Sequence, residues 1–189
     1  MKKTASDEGV CGHMDHYPEA YRAYLIEFHA TRDYFECHEL LEEYWKALPP
    51  AEPDRDVWMG LIQIAVASYH HRRGNRSGAR KMFGQAAVRM KRDALDRLGL
   101  DGEALLRIVG ERLKELDACP ESAPYREFDL PIADHALLIS CMEASERKGF
   151  EWGTPSPMGD RGLIDRHTLR DRSDVIKARE AAVSKKKMT

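Results

Sequence analysis

Several things this chain lacks narrow its function before any motif is read. It has no run of about 18 apolar residues, so no membrane-spanning helix is expected. Its formal net charge is only -2, so no global field draws it to nucleic acid or a lipid surface. Basic residues open the chain at Lys2 and Lys3, but no apolar stretch follows them, which argues against a secretory signal. The cysteines Cys11, Cys37, Cys119 and Cys141 are far apart and form no CxxC pair. Neither a zinc knuckle nor a redox pair is expected, and free thiols in a reducing cytoplasm are the natural reading. Period-2 alternation, the mark of a half-buried strand, is missing as well.

What is present is helical periodicity. Charged residues make up 33% of the chain and apolar residues 42%, which suits a charge-covered globule with a real core. Residues 1–17 read as a loose polar leader. Pro18 then opens a helix that carries Tyr21, Tyr24, Leu25 and Phe28 at three- and four-residue spacing. Thr31 or Asp33 caps a second helix over about 34–48, which Pro49, Pro50 and Pro53 stop. A third helix is expected over about 54–73, ended by Gly74-Asn75. A fourth is expected from Ser77 to Leu98, with Met82, Phe83, Ala86, Ala87 and Met90 as a core stripe. A fifth runs over 102–118 behind Asp101, and a sixth over 132–148. The expectation is an all-α domain over 18–149, of five or six helices built around an antiparallel helix pair. Residues 150–189 read as a polar tail, with one further helix allowed over 171–187.

Two blocks place polar groups on faces that should be buried, and a buried polar group needs a partner. On the second helix His38 and Glu42 are one turn apart, with Trp45 a further turn on. On the third, Gln63 and His70 share a face beside the apolar stripe that includes Trp58. The short proline connector packs these helices against each other, so His38 and Glu42 can face Gln63 and His70. Imidazole and carboxylate ligate zinc, iron or manganese, and they also exchange protons near neutral pH. The spacing is not the HExxH zinc signature, because Glu42 stands where a second His would be.

Three functional readings follow. The first is a binding or scaffold domain in which His38, Glu42, Trp45, Gln63, His70 and Asn75 form a polar pocket or network for a small molecule or protein. The second is a metal-dependent, hydrolase-like enzyme with a divalent metal on His38, Glu42 and His70. The third is a helical-hairpin interaction module, with oligomerisation as one form of it. The Gly74-to-Ala79 turn stands beside Arg72, Arg73, Arg76 and Arg80. It reads as a tight helical hairpin with a solvated basic edge, and alternatively as a phosphate or carboxylate cradle. Residues 27–56 carry nine acids against three bases, whereas 70–98 carry nine bases against two acids. The basic stretch has little aromatic interleaving, so an RNA-stacking surface is poorly supported. His13, His16, His29, His135 and His167 lack ligand spacing and read as surface or capping residues.

At these blocks the chain resembles a known family. Tyr34-Phe35-Glu36, His38-Glu39, Leu41-Glu42 and Trp45 are similar to the first signature of the domain-of-unknown-function family 309. Gly60-Leu61-Ile62-Gln63, His70, Gly74-Asn75 and Gly78-Ala79 are similar to its second. The resemblance covers about residues 20–92 and implies a small, all-helical, prokaryotic cytosolic protein. It implies no substrate or mechanism. Cys37 stands where the pattern has a small residue such as alanine.

Overall fold

The structure, a computed structural model, describes residues 17–169, with side chains described to His167. The expected leader and the expected helix over 171–187 lie outside the described residues. Two compact units divide at Ser156 and Pro157. The second unit contributes two one-turn helices, α8 (Arg161–Ile164) and α9 (Arg166–Leu169).

The first unit is built from α1 (Glu19–Ile26), α2 (Tyr34–Ala47), α3 (Arg55–Arg72), α4 (Arg76–Arg89), α5 (Arg92–Arg97), α6 (Gly102–Ala118) and α7 (His135–Arg147). Among the described residues the only strand-like pairing is a single antiparallel bridge between Leu100 and Ile132. The all-α expectation holds. No helix of the described residues is long and apolar enough to cross a membrane.

α3 is the central helix, buried on almost every face from Val57 to Arg72. Residue pairs fix how its neighbours lie. The start of α2 meets the end of α3, with the Phe35 and Tyr69 rings 6.2 Å apart. The end of α2 meets the start of α3, where Arg55 lies 4.0 Å from the Trp45 ring centre. These two helices are therefore antiparallel. The same holds for α3 and α4, since Gln63 bonds to Gln85 and Gly60 lies against Met90. Gly60 permits that close approach, because a Cβ there would fall 2.4 Å from Met90 Cγ. The tyrosines of α1 are buried with their hydroxyls satisfied: Tyr21 donates to Leu98 O at 2.9 Å and Tyr24 to Leu61 O at 3.0 Å.

Four local departures from the expectation have physical causes. The first helix ends in a π-helical turn over Glu27–Thr31, followed by Arg32 at φ 57°. The extra residue in that turn carries His29 inward, to 2% exposure, so it is not a surface residue. Helix 77–98 divides at Met90 and Lys91, both extended, and the bend turns Ala94 and Leu95 into the core. Asn75, expected in the stop signal of the third helix, instead caps α4 by accepting from Gly78 N at 3.0 Å, in the role expected of Ser77. The stop of α3 belongs to Gly74, at φ 76°. Lastly, the segment through Ser156 belongs to the first unit. There Gly153 N donates to His29 O at 3.1 Å and Trp152 stacks on His29 at 4.5 Å.

Candidate functional site

Asp33 caps α2 through Glu36 N at 3.0 Å, and the helix buries Tyr34, Cys37 and Leu41. Seen from that core stripe, His38, Glu39 and Glu42 lie on the flank, half-exposed. His38 Nδ1 is 3.1 Å from Glu39 Oε1, and its Nε2 is 3.8 Å from Glu42 Oε2. Lys46, one turn on, sits 2.9 Å from the same Glu42 oxygen. One ligand-capable atom from each of His38, Glu39 and Glu42 lies within 4.8 Å of the others. Among the described residues this is the group of at least three such side chains that can hold a metal ion. It contains His38 and Glu42 from the expected set, with Glu39 in the place expected of His70.

The other expected residues have partners of their own. His70 Nδ1 is 3.1 Å from Asn75 Nδ2, at the turn between α3 and α4. Gln63 Nε2 donates to Gln85 Oε1 at 3.0 Å, across the α3–α4 contact, and its buried Oε1 has no hydrogen-bond partner among the described residues. Trp45, on the last turn of α2, ties that helix to the start of α3: its Nε1 donates to Arg55 O at 3.2 Å, and Arg55 returns bonds to Trp45 O at 2.9 Å and Leu48 O at 2.7 Å. Trp58 is a core residue, edge-on to Tyr21 and Tyr44. The rings of Phe35 and Tyr69 stand between the two histidines, 6.2 Å from His38 and 6.3 Å from His70 respectively.

A second polar cluster escaped the sequence reading. Arg72, on the last turn of α3, is only 5% exposed. Its Nη1 donates to Arg32 O at 2.7 Å and to Ser156 Oγ at 3.1 Å, and its guanidinium lies 4.7 Å from the Tyr34 ring centre. Nε and Nη2 have no hydrogen-bond partner among the described residues. Burial pulls the Arg72 pKa below its ordinary value. The neighbouring hydroxyls form a chain. Tyr125 donates to Glu127 at 3.2 Å, so the 3.1 Å contact between Tyr34 and Tyr125 takes its proton from Tyr34. Glu127 also accepts from Ser156 N at 2.8 Å.

Arg32 and His29 extend this cluster to Asp129. Arg32 Nη2 pairs with Asp129 at 2.8 Å; His29 Nδ1 is 3.4 Å away, an electrostatic contact without good hydrogen-bond geometry. The His29 imidazole and the Arg32 guanidinium hold Asp129 down at about 2. Burial, set against the pull of Asp129, keeps His29 below its ordinary pKa and hence neutral at neutral pH. The other arginines of the basic turn do not converge with Arg72. Arg73 lies over Tyr69, Arg76 donates to Ala123 O, and Arg80 pairs with Asp117. The signal that could have found Arg72 is its place on a helix whose faces are nearly all buried, where Arg72 is the one buried residue that is charged at every ordinary pH.

Fold and site together define an all-helical domain with a polar helix edge and a buried arginine cluster. The chain belongs to a family described as a domain of unknown function, DUF309, whose model matches residues 21–82. A relative, the uncharacterized protein YpuF of Bacillus subtilis (strain 168), is 44% identical over 173 residues, covering 90% of this chain and 97% of the relative. No solved structure matches.

Proposed function

We propose that this protein is a non-catalytic binding domain, and that it takes a divalent cation at the edge of α2 through His38, Glu39 and Glu42. The observation that supports this is the gathering of one imidazole and two carboxylates within 4.8 Å, on a side of the helix that solvent reaches. Mixed nitrogen and oxygen ligands suit zinc or manganese. Lys46 competes for Glu42, but it is an exposed lysine in a surface pair, and such pairs hold weakly. Three ligands from about one helical turn leave further coordination positions to water or to a partner's side chain. A hydrolase centred on His38, Glu42 and His70 draws less support, since His70 lies outside the ligand-capable group.

The test is calorimetric titration of tag-free protein with Mn²⁺ and Zn²⁺. One site per chain is expected, weakened more than about tenfold in His38→Ala and in Glu42→Gln. Wild type that takes up neither ion would end this reading.

A further inference from the structure

α1 and α7 run side by side in the same direction. Tyr17, just ahead of α1, donates to Asp134 Oδ2 at 2.8 Å, and Asp134 caps the start of α7. Further along, Arg22 acts electrostatically on Cys141. Between the two helices lies a groove of about 310 Å³, within the range of small-molecule sites. Ala23 and Ile26 line it from α1, Cys141 and Ala144 from α7. Ile26 and Cys141 are buried, and burial pushes the Cys141 thiol up to about 11, so this part of the groove carries no charge. The ends differ in sign. Glu19, on the first turn of α1, is the one acid among the described residues that line the groove. Arg147 and Lys148, at the end of α7, line the other end. Arg147 has only a long, exposed contact with Glu143 at 3.8 Å, and such pairs hold weakly. Lys148 makes no ion pair among the described residues. Nor are these side chains needed to cap α7, since Ser145 O and Glu146 O accept from the amides of Lys148, Gly149 and Phe150.

We propose that the groove between α1 and α7 binds a free monocarboxylate with a medium-length apolar chain, the carboxylate at Arg147 and Lys148 and the chain laid toward Glu19. The chain follows from the uncharged stretch through Ile26, Cys141 and Ala144, where each methylene removed from water adds affinity. The sign follows from the two cations at one end, and Arg22, which also lines the groove, adds to the same field. The direction follows from Glu19, which repels an anion at the opposite end. The single charge follows from what the cations have to spare. Arg147 is shared with Glu143, and the end of α7 keeps the partial negative charge of a helix C-terminus, so a monoanion is balanced better than a dianion. The site shares no residue with the proposed cation site, and each stands if the other fails.

The experiment is a titration of ¹³C-labelled full-length protein with butanoate, hexanoate and octanoate at constant ionic strength, sodium chloride making up the balance. The methyl resonances of Ala23 and Ala144 are followed. Octylammonium, which has the same chain and the opposite charge, is titrated in a parallel arm. The expected result is a saturable shift of both methyls, with affinity rising about twofold to fourfold for each methylene added. Octylammonium should bind more weakly than octanoate. Lys148→Glu reverses an exposed charge and should weaken octanoate about threefold or more. Ala144→Leu fills the groove and should abolish binding; Lys148→Glu serves if that variant does not fold. Absence of a saturable shift with octanoate overturns the proposal, as does affinity that does not grow with chain length. Octylammonium binding as tightly as octanoate, or octanoate affinity unchanged in Lys148→Glu, overturns it equally.

Discussion

Arg72 donates to the backbone carbonyl of Arg32 at 2.7 Å, so two cations that should repel are joined through a peptide oxygen. The contact ties the last turn of α3 to the residue that leads into α2. Ser156 closes it from a segment far along the chain. Ser156→Ala removes one hydrogen bond to a charged donor and should cost about 1.5–3 kcal/mol of stability. Urea denaturation with the slope held fixed checks this, and a change below 0.5 kcal/mol, on the order of an ordinary surface substitution, would count against the latch.

The α3–α4 contact depends on the missing side chain at Gly60. A Cβ there meets Met90 Cγ at 2.4 Å, and Met90 is itself buried at the bend between α4 and α5. Gly60→Ala gains helix propensity but must displace Met90, so a net loss of about 1–3 kcal/mol is expected. Adding Met90→Ala should recover part of the loss attributable to Gly60→Ala, because the two sites share one space.

Acid should act first through buried imidazole. His29 and His71 both have pKa values below the ordinary 6.5, chiefly through burial. In the window below 6.5 the unfolded chain binds these protons and the folded chain does not, so stability falls as pH falls. Asp129, held at about 2 against an ordinary 3.8, adds a second loss between those values. His29→Phe keeps a ring against Trp152 and removes one titrating group. Its stability should change less between pH 7 and 5 than that of wild type, as read by chemical denaturation at each pH.

Lys46 competes with a cation for Glu42. Lys46→Ala should therefore tighten Mn²⁺ binding several-fold while leaving stability within about 0.5 kcal/mol, as expected for an exposed pair. Unchanged Mn²⁺ affinity in this variant would mean that Lys46 does not compete for Glu42.

Much of the helical plan was legible because periodicity, prolines and caps agree. Tyr21, Tyr24, Leu25 and Phe28 are spaced for one face, and all four are fully buried. Asp33 and Asp101 cap where expected. The split at Met90 was not legible, since residues 77–98 keep helical spacing throughout and the place of Met90 against Gly60 is set by a neighbouring helix. At the candidate site, one-turn spacing paired His38 with Glu42. The pairing of His38 with Glu39 depends on side-chain rotamers, which spacing does not specify. Gln63 finding Gln85 needed the register between two helices. The arginine cluster was hidden most deeply. Arg32 reaches Thr154 O across 122 positions, and nothing local to either residue foretells that contact.

The α2 edge is where the proposed cation binding stands or falls. The measurement that tests it most directly is metal content by elemental analysis, on protein purified without an affinity tag or chelator and dialysed against Mn²⁺ or Zn²⁺. Near one ion per chain in wild type, lost in His38→Ala/Glu42→Gln and retained in His70→Ala, is the predicted result. Wild type without bound metal, or loss of the metal in His70→Ala as complete as in the double variant, would contradict it.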